Sequence, residues 1–403
     1  MLAAAERPRS AVAQALFSPP FLAFITTRCT LWVTCYLCLE LFPAHTILSW
    51  QAHAFPGNNW LDGWVRWDSM WYESLVDSTA PWLPPQLSGA SFFPFYSWAA
   101  WIVSLPLRPF LPLPSAFFIG ALALSHAAFL AGLVAVYRMA IVLAGREVAA
   151  RTMWLMTCFP FSFFFSAVYA DALYFCLVAW CFYFAQSRRW RKASACAATA
   201  AMTRLLGFAV LPSLLAEYLA QQNWRLRSLR REGTAGLILA AAPLVVAGYF
   251  WMRYGSPLEF IHARQVGWHR ATGIGPLITD FQDYTAGSLW ACGNIRDCLR
   301  GWDMTRALLG YWYIALVPMS LFLTWSSARI LGVGQCLWVV TSVVMALANG
   351  LDGTGRFTAV LFPVFISAGV VIRSRVRLII VCAFFAPFLL LFMSQFARWR
   401  PVL

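Results

Sequence analysis

The part of this sequence best equipped for chemistry is the stretch Asn58–Asp77, NNWLDGWVRWDSMWYESLVD. It contains four acidic residues, whereas the whole chain of 403 residues has only 16 Asp and Glu. Its four tryptophans recur at helical spacing: Trp60, Trp64, Trp67 and Trp71. Read as one helix, they form a stripe typical of a bilayer interface, where an indole ring has one dry and one wet side. Asp68 borders that stripe, so its carboxylate can meet the polar head of a lipid-borne substrate.

Asp68 is the residue to which we assign proton transfer. A carboxylate can take the proton of an attacking hydroxyl as a new bond forms. The alternative is that the acids of this stretch are solvated loop charges or pair with Arg66. We favour that alternative for the other three acids of the stretch. Asp62 is nevertheless kept as a candidate substrate contact. For Asp68 the functional interpretation is favoured.

Two further charged residues lie within apolar segments. Asp171, in SAVYADALYF, stands in a run that is otherwise uncharged. An ionisable residue in a membrane segment is a functional candidate by default, and its structural alternative is a place at a helix N-terminus. Arg204, in AAMTRLLGF, must meet a carboxylate, carbonyl groups or a phosphate if it is buried. A lipid phosphate, which guanidinium can bind bidentately, and a structural pair with Asp171 are equally supported as its partner.

Two later segments add candidates for ligand binding. Arg356 follows the glycine-rich loop LDGTG and is a second candidate for phosphate, with an interfacial anchor as its alternative. In Pro257–Arg270, PLEFIHARQVGWHR, Gln265 is followed at i+3 and i+4 by Trp268 and His269. These three side chains would line one wall if the segment is helical. The more common interpretation of such a segment is an interfacial helix.

Composition indicates one integral-membrane domain that covers residues 1–403. Hydrophobic residues make up 61% of the chain, charged residues 11%, and the mean hydropathy is +0.66. We predict an all-α polytopic protein with roughly nine to eleven membrane segments. The net charge of +14 lies in short basic clusters between apolar runs, RRWRK, RLRSLRR and RSRVR. That is the positive-inside pattern of a membrane protein, so nucleic acid is excluded as a partner.

The same pattern predicts which segments face outward. Two long exoplasmic loops are expected at about 43–91 and 253–306. Cys292 and Cys298 lie in the second loop, on the oxidising side, and a disulfide between them is predicted. Five prolines break the run Phe93–Pro114, and Ala193–Leu219, which lies between two basic clusters, is expected to form a re-entrant pair of short helices. No His/Cys cluster has metal spacing, and neither a metal nor a cofactor is expected.

An ordered set of segments resembles the GPI mannosyltransferase II (PIG-V) family, and especially its bacterial relatives. The matching segments are RWDSMWYESL (Arg66–Leu75), SFFPFYSW (Ser91–Trp98), FPFSFFFSAVYADALYFCL (Phe159–Leu177), MTRLLGFAVLP (Met202–Pro212), PLEFIHARQVGWHR (Pro257–Arg270) and GRFTAVLFP (Gly355–Pro363). They occur in the family's order over most of the chain. The resemblance implies a multi-pass glycosyltransferase of the GT-C fold that uses a polyprenyl- or dolichyl-phosphate sugar.

The resemblance also assigns residues. It maps the catalytic acid onto Asp68 and places an aromatic-proline motif, Phe92–Tyr96, beside the site. This chain departs from the family in having Asp171 where Glu is usual and Phe357 where Tyr is usual. Those departures concern the identity of the sugar and the acceptor more than the class of reaction.

Together these observations predict an inverting enzyme that moves mannose from a lipid phosphate to a glycolipid or glycan on the exoplasmic side. Asp68 would be the base, Arg204 the main phosphate contact and Arg356 its assistant. The expected substrate-binding residues are Asp62, Trp67, Trp71, Tyr72, Phe93, Tyr96, Asp171, Gln265, Trp268 and His269. The expected membrane is the bacterial plasma membrane, with the endoplasmic reticulum as the alternative. The rival interpretations are a lipid or sugar transporter and a non-catalytic subunit of a glycosylation complex.

Overall fold

The computed structural model describes residues 17–42, 44, 53–77, 89–227, 232–267, 273–286 and 302–402. Within these ranges the regular elements are helices, and none is a strand, which confirms the predicted all-α class.

The α-helices are α1 (Pro19–Leu41), α2 (Asn59–Asp62), α3 (Asp68–Ser74), α4 (Pro94–Ser104), α5 (Leu113–Ala144), α6 (Arg146–Cys158), α7 (Asp171–Gln186), α8 (Trp190–Thr203), α9 (Val210–Gln221), α10 (Gly233–Tyr254), α11 (Glu259–His262), α12 (Ile274–Ala286), α13 (Trp302–Ser326), α14 (Ala328–Leu331), α15 (Val333–Leu347), α16 (Thr354–Val360), α17 (Phe362–Val371) and α18 (Arg375–Ala397). Short 3₁₀ segments cover Gly89–Ser91, Leu105–Leu107, Ser162–Phe165 and Leu205–Ala209, and a π-helical turn covers Ala263–Gly267.

Five of the described helices are long and apolar enough to cross a membrane, namely α1, α5, α10, α13 and α18. The pair α16 and α17, bent by 75° at its junction, makes a sixth if both helices belong to one broken span. Three shorter apolar helices accompany them: Asp171–Gln186, Leu205–Gln221 and Val333–Leu347. The chain is therefore a multi-pass membrane protein. The described residues thus contain five or six long apolar spans and three shorter apolar helices, and the nine to eleven membrane segments expected from the sequence stay a prediction.

The centre of the bundle is formed by α5, α7 and α8, with α4 and α10 packed outside them. Aromatic rings fill it: Phe129 of α5 stacks on Phe165 with ring centroids 4.4 Å apart. A buried arginine, Arg28 of α1, holds the segment that leads into α7. Its guanidinium donates to the carbonyl oxygens of Thr157 and Ser162 at 3.0 and 2.8 Å. These contacts fix the chain just ahead of Asp171, at the start of α7.

Proline and glycine account for two breaks that the sequence predicts. In the run Phe93–Pro114, α4 begins at Pro94, and α5 starts only after the turn that follows Leu107. The second break lies at Arg204, where the backbone is extended between α8 and α9. A Cβ on Gly207 would lie 2.2 Å from the carbonyl oxygen of Ala200, so this close approach of the folded-back chain requires glycine. The predicted pair of short helices is thus present.

The tryptophan-rich stretch differs from its prediction, because it does not form one helix. It contains α2 and α3, separated by Gly63–Trp67, and Trp67 has a φ of 51°. Tertiary contacts explain the break. A Cβ on Gly63 would lie 2.4 Å from Cys35 Sγ. The guanidinium of Arg66 is buried and donates a hydrogen bond to the carbonyl oxygen of Ala397 at 2.7 Å.

The four tryptophans consequently face different neighbours rather than one interface. Trp64 is fully buried beside Trp32, whereas Trp60 stacks on Tyr36 and is 44% exposed. The other two lie nearer the centre of the protein: Trp67 against Trp399, and Trp71 against Phe92. The prediction of a single interfacial tryptophan stripe, which was based on the spacing of these residues, is therefore wrong for this chain.

Candidate active site

A cavity of about 320 Å³ opens where several segments at helix ends and breaks meet. One wall comes from the start of α3, a second from the residues that precede α4, and a third from the break at Arg204 together with the α15–α16 turn. The lining residues are Trp67, Asp68, Trp71, Tyr72, Ser91, Phe92, Phe93, Thr203, Arg204, Leu205, Leu206, Arg264, Met345, Ala346, Asn349, Asp352, Gly353, Arg356 and Phe357. The cavity therefore combines an aromatic wall with a small set of charged groups.

Asp68 reaches the cavity because the chain turns sharply just before it. It is the first residue of α3, directly after the left-handed Trp67. Its backbone N–H donates to the hydroxyl oxygen of Tyr169 at 3.3 Å, which ties the start of α3 to the segment ahead of α7. The carboxylate is 22% exposed, so it is partly desolvated and still accessible from the cavity.

Four charged side chains form one continuous network at the base of the cavity. Arg356 donates through Nη1 to Asp68 Oδ2 and through Nε to Asp171 Oδ2, each at 2.8 Å. Arg204 donates through Nη1 to the other oxygen of Asp171, Oδ1. The order of contacts is thus Asp68–Arg356–Asp171–Arg204, with two negative and two positive charges.

Aromatic rings fix the two guanidinium groups. Arg356 lies over the ring of Tyr169, 4.5 Å from its centroid, and Arg204 lies 5.4 Å from the centroid of Phe357. Both arginine side chains are 11% exposed. A guanidinium held between a carboxylate and a ring keeps its planar fork oriented, which suits recognition of an oxyanion.

The sequence left two interpretations open for Asp171, a functional residue or a residue at a helix N-terminus, and the structure has features of both. It is the first residue of α7, and its side chain is 1% exposed. Its two oxygens each accept from one arginine, so it acts as the shared counter-ion of Arg204 and Arg356. Asp171 does not itself line the cavity, but it sets the position of two cations that do.

The other expected substrate-binding residues differ in where the structure places them. Trp67, Trp71, Tyr72 and Phe93 line the cavity. Gln265 is exposed and lies outside the cavity lining, whereas its neighbour Arg264 is part of it. Trp268, His269, Cys292 and Cys298 lie outside the described residues, so the predicted wall and the predicted disulfide stay predictions.

Tyr96 lies behind the cavity rather than on its surface. Its side chain is fully buried, and its hydroxyl lies 2.9 Å from Ser125 Oγ. The Tyr72 ring, which does line the cavity, packs edge-on against it at 4.8 Å. Tyr96 therefore supports the cavity wall from the α4–α5 contact.

Asp62 also lies apart from the cavity, in a buried ion pair. Its carboxylate is 1% exposed and contacts the Arg66 guanidinium at 2.6 Å and His53 Nδ1 at 2.7 Å. Burial acts to raise the pKa of this carboxyl, but Arg66 and the hydrogen bonds from His53 and Phe55 outweigh it, and the pKa lies below its usual range. This geometry is that of the structural pair with Arg66 that the sequence offered as the alternative.

We expect Asp62→Asn to destabilise the protein without changing the chemistry of the cavity. Losing one partner of a buried pair costs about 3–5 kcal/mol. Because the folded pKa is depressed, this stabilisation is complete above the unfolded value of 3.8 and is lost as the pH falls through the lower folded pKa. The measurement is the melting temperature in detergent between pH 3 and pH 7, compared with Glu147→Gln, whose carboxylate is 85% exposed. A changed substrate KM at an unchanged melting temperature would contradict the structural assignment.

Several cavity residues were not singled out from the sequence. They include the polar residues Thr203, Arg264, Asn349 and Asp352. Arg264 and Asp352 lie in two segments that the sequence analysis had already selected as candidates for ligand binding, PLEFIHARQVGWHR and LDGTG. Each is a charged residue close to a selected candidate, and that was the signal by which it could have been found. In the described part of the chain, no group of three or more His, Cys, Asp or Glu side chains could hold a metal ion.

No protein-family model and no curated protein matches this chain. Among solved structures, it is similar to ArnT from Cupriavidus metallidurans bound to undecaprenyl phosphate, with 14% identity over 86% of this chain and 59% of that chain and a TM-score of 0.49. The apo state of that protein gives 16% identity over 90% and 60% of the two chains, also with a TM-score of 0.49. The apo form of the Archaeoglobus fulgidus oligosaccharyltransferase gives 13% identity over 94% and 56%, with a TM-score of 0.49.

This chain thus spans 56–60% of the length of those proteins. At such low identities and TM-scores, these similarities establish neither its activity nor its substrate, so the functional interpretation rests on the cavity.

Proposed function

We propose that this protein is a membrane-embedded glycosyltransferase that moves a sugar from a lipid phosphate to a hydroxyl group of an acceptor. One observation carries the proposal: the carboxylate of Asp68 and the guanidinium groups of Arg356 and Arg204 line one cavity in a multi-pass membrane protein. A base for the acceptor hydroxyl and cations for the departing phosphate are the two requirements of this reaction.

The contacts of the three side chains support these separate roles. Asp68 accepts a proton as the acceptor oxygen attacks the anomeric carbon, and the phosphate leaves from the opposite side with inversion. Arg204 and Arg356 bind the phosphate, since guanidinium pairs with phosphate oxygens through parallel hydrogen bonds. Their burial strengthens that interaction, because few water molecules compete for the same donors.

The aromatic wall supports a sugar or a prenyl chain as the group bound beside the charges. Trp71 and Phe92 are stacked with ring planes 7° apart, and both line the cavity next to Asp68. A flat apolar surface of this kind covers the face of a ring or an alkenyl chain and excludes water. Phe357, which contacts Arg204, continues this surface on the phosphate side.

In its finer form, the proposal takes mannose as the sugar and polyprenyl- or dolichyl-phosphate as its carrier. The acceptor is a glycolipid or a glycan, reached on the exoplasmic side of a bacterial plasma membrane. The resemblance of six ordered segments to the PIG-V family supports this choice, and with it the GT-C arrangement of multi-pass glycosyltransferases that the resemblance implies.

Purified protein in proteoliposomes provides the test. We expect radiolabel from a polyprenyl-phosphate mannose to appear in a second lipid or glycan when total membrane lipids are supplied, and Asp68→Asn to lower this transfer by orders of magnitude. Polyprenyl-phosphate glucose, offered in parallel, reports on the choice of sugar. Folded protein that neither binds nor consumes either donor would overturn the proposal. An intact donor that moves between the leaflets would support a transporter instead.

A further inference from the structure

Arg356 lies between Asp68, the proposed base, and Asp171, and it contacts both of these carboxylates. Its Nη1 donates to Asp68 and its Nε to Asp171, while Arg204 contacts only Asp171 among the two acids. Arg356 is therefore the one arginine of the pair whose electrostatic environment depends directly on the charge of Asp68. Arg204 has no corresponding contact, which makes it the natural reference for comparison.

The two carboxylates differ in what they can do with a proton. Asp171 is 1% exposed, and both of its oxygens accept from arginine. Asp68 is 22% exposed, and no described residue donates a hydrogen bond to its Oδ1. Of these two carboxylates, Asp68 is therefore the one that can accept a proton from the cavity, and Asp171 remains the fixed partner of both guanidinium groups.

The proposed transfer changes the charge of two groups at once. The bond from the acceptor oxygen to the anomeric carbon forms, and the bond from that carbon to the phosphate oxygen breaks, with its electron pair left on the phosphate. The hydroxyl proton passes to Asp68, which becomes neutral. The phosphate changes from a diester with one negative charge to a monoester that carries close to two at neutral pH. The charge of the site, counted with the phosphate, is the same before and after.

We propose that Arg356 couples these two changes. This inference rests on the proposed function and adds a distinct role for one arginine. In the structure, Arg356 is shared between Asp68 and Asp171. As Asp68 takes the proton, Arg356 loses one anionic partner at the moment when the phosphate gains a negative charge, and its Nη1 turns to the phosphate. The donors of a guanidinium are fixed in one plane, so this exchange needs only a small movement of the side chain.

The coupling has a consequence for product binding that needs no turnover. A lipid monophosphate that binds as the dianion carries the same charge as the phosphate product of the transfer. Because Asp68 is neutral in that product state, we expect binding of the monophosphate to be accompanied by the uptake of a proton at Asp68. The other ionisable groups that line this cavity or flank Asp68 are Tyr72, Tyr169, Arg264 and Asp352. Replacing Asp68 with asparagine mimics its protonated form and frees Arg356. The substitution should therefore tighten the binding of the monophosphate while it lowers sugar transfer by orders of magnitude.

Calorimetric titration with a short-chain prenyl phosphate tests this at pH 7.5, in two buffers of different ionisation enthalpy. For wild-type protein we expect the uptake of up to one proton for each lipid bound. Asp68→Asn should bind at least roughly tenfold more tightly, since a like charge next to the site is gone, and should take up no proton. The methyl ester of the same lipid is a diester with one negative charge. Its affinity should increase less on Asp68→Asn, and neither protein should take up a proton when it binds.

Two variants control for unrelated effects. Asp283→Asn removes the charge of an exposed acid that lies outside the cavity, and it should leave prenyl phosphate affinity unchanged. Asp68→Asn should increase the affinity for prenyl phosphate less when Arg356→Gln is also present. Arg204→Gln should lower the affinity itself, but Asp68→Asn should then still increase it by the same factor. Melting temperatures identify any variant that is misfolded.

The outcomes separate this inference from the proposed function. If Asp68→Asn binds prenyl phosphate no more tightly than wild type, or still takes up a proton, the coupling is wrong even where sugar transfer has been demonstrated. If the gain in affinity is the same with and without Arg356, another cation is responsible. If folded wild-type protein binds neither the monophosphate nor a lipid-phosphate sugar, the proposed function itself fails.

Discussion

Replacing Asp68 with asparagine is expected to lower sugar transfer by roughly 10²–10⁴-fold, the usual contribution of a general base. Asparagine keeps the shape of the side chain but cannot accept the proton of the attacking hydroxyl. The backbone hydrogen bond from residue 68 to Tyr169 does not depend on the carboxylate, so the start of α3 should be retained. The measurement is the initial rate of transfer from a polyprenyl-phosphate sugar in proteoliposomes.

The control for this variant is the loss of an acid that lies close in sequence but away from the cavity. Asp62→Asn removes a buried carboxylate six residues earlier and should lower stability rather than the rate per folded molecule. Transfer by Asp68→Asn at close to the wild-type rate, in protein with a normal melting temperature, would rule out Asp68 as the base.

Substitutions at Arg204 and Asp171 should separate phosphate binding from support of the fold. Arg204→Ala is expected to weaken donor binding by roughly 10–100-fold, because a charge-assisted hydrogen bond contributes about 1.5–3 kcal/mol. Arg204→Lys should fall between alanine and wild type, since it keeps the charge and loses the planar fork. The loss of stability should be modest for both variants, because Arg356 still pairs with the buried Asp171.

Asp171→Ala is expected to be the more damaging change for the fold. It leaves two guanidinium groups, each 11% exposed, without the carboxylate they share, and breaking a buried pair costs about 3–5 kcal/mol. The double change Arg204→Ala with Asp171→Ala should recover part of that loss, because Arg356 keeps Asp68 as a partner. Melting temperature and binding of a short-chain lipid-phosphate sugar are measured for wild type, for Arg204→Ala, for Asp171→Ala and for the double variant.

One pattern in this cycle would reassign Arg204. If the double variant regains full stability and Arg204→Ala binds the donor as well as wild type, Arg204 belongs to the scaffold and contributes nothing to phosphate recognition. A fall in donor affinity with Arg204→Ala at an unchanged melting temperature is the result that the proposed function requires.

The sequence alone determined the class of the fold and the places where its helices break. Long apolar runs must form helices in a bilayer, because every backbone hydrogen bond has to be made within the segment. Pro94 and the residues around Arg204 interrupt that pattern for local steric reasons, and both interruptions are present in the structure. Asp171 and Arg204 were likewise visible as single charges in apolar runs, Asp68 as an acid beside the tryptophans, and Arg356 as the charge that follows a glycine-rich loop.

Only the tertiary structure decided how these residues are connected. Arg356 lies 288 residues from Asp68 and 185 from Asp171, so no local spacing could pair them. Spacing also predicted one tryptophan helix where the structure has two, because Gly63 packs against α1 and Arg66 is buried at the end of α18. Hydropathy depends on the local sequence, whereas the partner of a buried charge depends on which helix ends meet. In a bundle, that is set by packing between segments far apart in the chain.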